Sequence, residues 1–181
     1  VLDGCIALFS AVEGVEPQSE TVWQQAEKYR VPRLAFVNKM DRVGADFDAV
    51  IGAIKKKLHP RPLAFQLPIG AEAEFSGAID IIGQKAMVWE GETEMGAQYE
   101  LSPIPEDLLP AVEMAREELI DALSETNEEM VALFLEGKEI PESLLWSAAR
   151  AAVLEGSIIP VFCGTAFKNK GVQPLLDAVV R

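Results

Sequence analysis

Apolar residues gather along this chain in two kinds of run, and the two kinds fall in different regions. Near-continuous runs stand at Cys5-Ile6-Ala7-Leu8-Phe9, Leu34-Ala35-Phe36-Val37 and Ile158-Ile159-Pro160-Val161-Phe162-Cys163. Unbroken runs of that length suit strands covered on both faces, as in a parallel sheet. Each is followed by helical spacing. A helix from about Pro17 to Arg30 places Val22, Trp23, Ala26 and Tyr29 along one side. A second, from about Asp46 to Leu58, carries the stripe Phe47, Val50, Ile51, Ile54 and Leu58, and a third runs from Val172 to Val180. Pro17 suits a first helical turn, and the residue before Pro32 disfavours the helical region, so the first helix stops there. Lys55, Lys56 and Lys57 close the second helix, where cations complement the helix dipole. Pro160 has no N–H for a ladder, which predicts an edge or irregular position for the first half of the last strand.

Between these units the runs shorten. Leu63 to Ile69, Gly77 to Ile82 and Ala86 to Trp89 predict short antiparallel strands, with Gly70 and Gly83 at turns. Gly91 to Pro105 reads as a polar loop. Three helices follow: one from about Glu106 to Ser124, one opened by the capping-box spacing of Thr126 and Glu129 and ended by Gly137, and one from about Pro141 to Gly156. The pattern is an α/β fold: three parallel strands with helices, in residues 1–62 and 156–181, interrupted by an α+β insert over 63–155. The insert is expected to hold a small core of its own near Leu119, Leu123, Phe134 and Trp146.

Charge sharpens that division. Residues 63–155 hold 20 acidic and 4 basic side chains, whereas the remainder holds 9 acidic and 12 basic. Two such surfaces suit different partners, and the acidic one should avoid nucleic-acid phosphates in favour of a protein. Composition also excludes chemistry. One histidine, His59, and two separated cysteines, Cys5 and Cys163, leave no Cys/His metal site and no histidine-based triad. His59 reads as a surface residue and the cysteines as unbonded core residues. No catalytic residue and no metal ligand is assigned. No apolar run is long enough to span a membrane, no signal-peptide pattern opens the chain, and the expected location is cytoplasmic. Val1 stands within a strand pattern, as in a piece of a longer protein.

The polar residues with a chemical reading follow two of the buried runs. Asn38-Lys39-Met40-Asp41 lies beyond one strand and Gly164-Thr165-Ala166-Phe167-Lys168 beyond another, at the carboxyl ends where open parallel sheets bind ligands. A carboxylate at Asp41 has two acceptor oxygens and no donor. It matches the adjacent N1–H and N2–H donors of guanine, whereas adenine offers no such pair. Lys39 can lay its stem along a base, Asn38 can bridge to a neighbouring loop, and the small residues Gly164, Thr165 and Ala166 permit close approach to a flat ligand. Backbone N–H groups of that second loop can donate to guanine O6.

With these motifs stand Gly14-Val15-Glu16-Pro17-Gln18-Ser19-Glu20-Thr21-Val22-Trp23, Gln66-Leu67-Pro68-Ile69-Gly70 and Phe167-Lys168-Asn169-Lys170-Gly171-Val172-Gln173. In these stretches the chain resembles the bacterial translation elongation factor G family over its whole length. The resemblance implies part of a P-loop-NTPase-type GTP-binding domain with the family's inserted subdomain at 63–155. It implies GTP or GDP as ligand, guanine contacts from Asn38, Lys39, Asp41, Gly164, Thr165 and Ala166, and a role in GTP-driven translocation of transfer and messenger RNA. It further implies the ribosome as partner, and the ribosomal stalk protein as partner of the insert. No lysine in the chain is followed by Ser or Thr, so the phosphate-binding loop motif is missing from these residues. The Mg²⁺ that such GTPases use has no ligands here, and the chain alone is expected not to hydrolyse GTP. Two other readings stay open: a non-enzymatic interaction module, or a paralogue serving ribosome recycling, ribosome protection or release.

Overall fold

The computed structural model describes residues 2–59, 61–89 and 98–181. The predicted loop at 91–105 therefore lies outside the described residues up to 97. The elements, in chain order, are β1 (Cys5–Ser10), α1 (Pro17–Lys28), β2 (Arg33–Asn38), α2 (Phe47–Lys57), β3 (Pro62–Ala64), β4 (Gln66–Ile69), β5 (Gly77–Asp80), β6 (Lys85–Val88), β7 (Glu100–Ser102), α3 (Leu109–Ser124), α4 (Glu128–Leu135), α5 (Glu142–Glu155), β8 (Ile159–Cys163) and α6 (Val172–Val180).

Two four-stranded sheets organise them. The first is parallel, in the order β1-β2-β8-β3; the second is antiparallel, in the order β4-β5-β6-β7. The three expected parallel strands are joined by a fourth. The apolar stretch from Leu63 to Ile69, expected as one strand of the insert, divides at Phe65. Its first part pairs with β8 in the parallel sheet, and its second pairs with β5. β7 falls within the stretch expected to be loop.

Gln66 shows how the split is tolerated. Its buried amide oxygen accepts from the Cys163 N–H at 3.3 Å, replacing the ladder partner that β3 stops providing. Pro160 behaves similarly on the other side of β8. The β2–β8 register begins at Ala35 opposite Val161, one residue beyond it, so the missing N–H falls where β8 has no partner in β2.

Both faces of the parallel sheet are covered over β2 and β8, whereas Ile6 and Leu8 leave one face of β1 exposed, contrary to the burial expected from its apolar run. Phe9, Ala35, Val37, Val161 and Cys163 pack with Trp23 of α1 and Phe47, Val50 and Ile54 of α2. On the other face, Phe36 and Phe162 meet Leu145, Ala148, Ala149 and Ala152 of α5 and Leu175 of α6. That cluster continues without a break into Ile79, Ile81, Leu119, Leu123 and Met130. The insert therefore has no separate core, because α5 lies against the parallel sheet while α3 and α4 join the same apolar cluster. Leu119 and Leu123 are fully buried and Trp146 is half-buried against Phe65, but Phe134 is 62% exposed. On α1, Trp23 is buried whereas Val22 faces solvent, as does Tyr29 just beyond its last turn. Asn127, not Thr126, caps α4, its side chain accepting from the Met130 N–H at 3.1 Å.

The cysteines are free, with β2 between their strands. His59 departs from the surface position expected for it. It is half-buried, accepts the Arg61 N–H on Nδ1 at 3.1 Å, and places Nε2 3.1 Å from the Gly156 carbonyl. Those partners require the neutral ring with the proton on Nε2. Burial shifts its pKa below the ordinary histidine value, partly opposed by the Gly156 hydrogen bond.

Candidate functional site

Two loops meet beyond the carboxyl ends of β2 and β8. β2 ends at Asn38, whose backbone carbonyl accepts from the Ala11 N–H at 2.8 Å. The Asn38 side-chain oxygen accepts from Lys39 N–H at 2.8 Å and from Ala166 N–H at 2.9 Å, tying both loops to one atom. Lys39 then takes a left-handed conformation, φ 65°, uncommon for a residue with a side chain and concentrated at functional sites. That turn buries Met40, whose N–H donates to the Gly164 carbonyl at 3.1 Å. Asp41 follows, facing the second loop.

The second loop extends the β2–β8 pairing by one bond, Gly164 N–H to the Val37 carbonyl at 3.0 Å. Thr165 is buried and exchanges two backbone hydrogen bonds with Lys170, at 3.0 and 3.1 Å, closing a tight loop. Left-handed residues Asn169 and Gly171 complete the reversal into α6. The Thr165 hydroxyl donates to Asp41 Oδ1 at 2.7 Å, and the Lys168 ammonium lies 3.2 Å from Oδ2. Burial would raise the Asp41 pKa, but the Thr165 hydrogen bond and the Lys168 charge outweigh it and hold the carboxyl below its ordinary value.

Of the six residues singled out in the sequence, Asn38, Asp41, Thr165 and Ala166 form one hydrogen-bonded cluster, with Gly164 as its floor. Lys39 stands apart, its ammonium 3.6 Å from Glu13 Oε2. The backbone donors expected to face a ligand carbonyl are partly engaged: Gly164, Thr165, Ala166 and Lys168 all donate within the protein. Two lysines have no role assigned from sequence. Lys168 is visible within the second motif. Lys170 stands in the stretch from Phe167 to Gln173 without a role of its own there; its ammonium reaches the Phe75 carbonyl at 3.5 Å, and burial together with the Lys168 charge lowers its pKa. Glu72 is a third omission, accepting from the Gly44 N–H at 2.7 Å across 28 residues of sequence.

The arrangement can present a negatively charged, two-oxygen acceptor to a planar group bearing adjacent donors. It does not make a metal site: among the described residues no three His, Cys, Asp or Glu side chains are grouped to hold an ion, and Asp41 is already paired. A mainly apolar hollow of about 520 Å³ lies at the opposite end of the sheet between Cys5, Leu34, Phe65, Trp146, Val153 and Phe162, with Asp3, Arg33, Arg150 and Arg181 also lining it.

Comparison with known proteins places these loops in context. Residues 1–181 match the family model described as the elongation factor Tu GTP binding domain. A protein named elongation factor G from Ehrlichia chaffeensis (strain ATCC CRL-10679 / Arkansas) is 50% identical over 180 residues, covering 99% of this chain and 26% of that protein. A protein of the same name from Wolbachia pipientis subsp. Culex pipiens (strain wPip) is 51% identical over the same length and covers the same shares. The chain thus spans about a quarter of the length of these curated relatives. A crystal structure of a Thermus thermophilus protein superimposes with a TM-score of 0.85 at 29% identity, over 98% of this chain and 26% of that one.

Proposed function

The chain belongs to the elongation factor Tu GTP-binding domain family, and from that premise we propose that it is the guanine-recognising part of a translational GTPase resembling elongation factor G. The observation that carries this reading is the Asp41 carboxylate, kept ionised and oriented by Thr165 and Lys168 at the carboxyl end of a parallel sheet. Its two oxygens match guanine N1–H and N2–H. Asn38, which joins the two loops through Lys39 and Ala166, holds the walls of the pocket at a set spacing. The nucleotide is GTP or GDP. Among the described residues no group of carboxylates is placed to hold Mg²⁺, and the 181 residues carry no phosphate-binding-loop motif. The whole protein is proposed to act in the cytoplasm, promoting GTP-dependent translocation of transfer and messenger RNA on the ribosome.

Titration with free nucleosides separates base recognition from phosphate affinity. Guanosine at millimolar concentration is expected to shift the amide NMR signals of Asn38 to Asp41 and Gly164 to Lys168, while adenosine leaves them in place. Equal shifts with both, or none with guanosine, would defeat the assignment.

The organisation proposed for the chain is a GTP-binding domain over 1–62 and 156–181 and an acidic subdomain over 63–155, the latter docking the ribosomal stalk protein. This second role is favoured by Val131, Phe134 and Leu135, which are exposed on one side of α4 among Glu128, Glu129 and Glu136. Apolar side chains framed by carboxylates suit a contact made through the apolar groups, because an acidic partner is repelled by the charges themselves. Alanine at all three positions is expected to weaken stalk-protein binding at least tenfold without unfolding the chain; undiminished binding by sedimentation or calorimetry would rule this face out.

A further inference from the structure

Both oxygens of the Asp41 carboxylate have partners within the chain. Oδ1 takes the Thr165 hydroxyl at 2.7 Å, and Oδ2 faces the Lys168 ammonium at 3.2 Å. The two partners differ in how firmly they are held. Thr165 is buried, and its backbone N–H and carbonyl are both bonded to Lys170, so its hydroxyl cannot leave without opening the loop. Lys168 stands in a short exposed turn, with its side chain 43% exposed against 16% for Asp41. An ammonium on a four-carbon stem swings away readily and is rehydrated when it does.

Other charges near the carboxylate strengthen this contrast. Lys170 is tethered to the Phe75 carbonyl at 3.5 Å, and its charge and that of Lys168 oppose each other. Lys39 is drawn towards Glu13, at 3.6 Å. Among the described residues near Asp41, Lys168 is thus a cation free to move, and its departure would still leave Asp41 with Thr165 and with the field of Lys170.

We infer that Lys168 is a displaceable internal stand-in for the guanine edge: its ammonium holds the Asp41 oxygen that a base donor must take, and it swings out when the base enters. This rests on the proposed base-recognition role of Asp41. Entry of guanine therefore breaks an ion pair, whereas a base without paired donors leaves Asp41 paired with Lys168. The lysine adds to selectivity by keeping the empty carboxylate satisfied, and it lowers affinity by the strength of the pair. Exposed ion pairs are worth about two- to fivefold in an equilibrium constant.

The test uses the full 181-residue chain with guanosine, an uncharged probe whose own affinity has no ionic component. Lys168→Met keeps the stem and removes the charge, and it is expected to tighten guanosine about two- to fivefold. Lys168→Arg keeps the pair and is expected to stay within about twofold of the wild type. Added salt should strengthen guanosine binding to the wild type and leave Lys168→Met unchanged, because only the former must break an ion pair. Equal or weaker binding by Lys168→Met would overturn the inference while leaving base recognition intact. Failure of guanosine to bind either chain would overturn both. Circular dichroism of each variant, matched to the wild type, excludes a folding defect as the source.

Discussion

Asp41→Asn is expected to exchange the preference of the site from guanine to xanthine. The amide side-chain oxygen still accepts one donor, guanine or xanthine N1–H. The other position becomes an NH₂ donor, which meets the guanine N2 amino group donor to donor but meets the xanthine C2 carbonyl as a hydrogen bond. A site built on hydrogen bonds discriminates strongly, because the wrong ligand leaves desolvated polar groups unpaired. The ratio of guanosine to xanthosine affinity should therefore fall by about a hundredfold or more. Thr165 can still donate to the remaining oxygen, so the loops should keep their places, while the pairing with Lys168 is lost. Competition between the two nucleosides, or their triphosphates in a longer protein containing this chain, reads the ratio directly. An unchanged preference for guanine would show that Asp41 does not read the base.

The second large effect concerns the scaffold. A methyl group added at Gly164 would lie 2.3 Å from the Lys170 carbonyl oxygen, 2.8 Å from Phe36 Cζ and 3.2 Å from Gly171 Cα. Two of these are backbone atoms fixed by the Thr165–Lys170 hydrogen bonds, and Phe36 is packed in the core. None can move without opening the second loop or shifting the β8 end of the sheet. Gly164→Ala should therefore destabilise the chain by about 3 kcal/mol, the upper part of the range for overpacking. The thermal midpoint should fall by about 6–12 °C for a chain of this size. Gly52→Ala is the matched control. Gly52 lies inside α2 with open space where the methyl would sit, and helix propensity alone predicts a gain of about 0.5–1 kcal/mol. Thermal melts of the pair should move in opposite directions; a neutral Gly164→Ala would mean that the two loops are not held as tightly as their hydrogen bonds indicate.

The strand and helix pattern was legible because burial on both faces leaves an unbroken apolar run, while burial on one helical face leaves a stripe. β2, β8, α2 and α6 follow from that, whereas β1 shows the same unbroken run although Ile6 and Leu8 stay exposed. The division within Leu63 to Ile69 did not. An apolar run records that a segment is buried, not which strand it pairs with. The change of partner at Phe65 left only a single polar residue, Gln66, as its trace. The separate core expected for the insert failed for a related reason. Apolar faces on α5 have the same sequence whether they meet an antiparallel sheet or a parallel one, and here they close over Phe36 and Phe162.

Polar residues divide along the same line. Asn38, Asp41 and Thr165 could be singled out from sequence because their types, placed just after buried strands, have a chemical use that topology puts at the sheet's carboxyl end. His59 and Arg33 could not. His59 bridges Arg61 and Gly156, and Arg33 is buried over the Trp23 ring and paired with Glu27, at positions where a surface residue would read identically. Local order and periodicity were enough to say which segments are buried and which residue types stand at the strand ends, because both properties belong to neighbours along the chain. The change of strand partner across the β3–β4 division, and the seat of Lys168 on the Asp41 carboxylate, came only with folding. Both depend on distances between residues as far apart as 41 and 168, which a chain reveals only once it has closed.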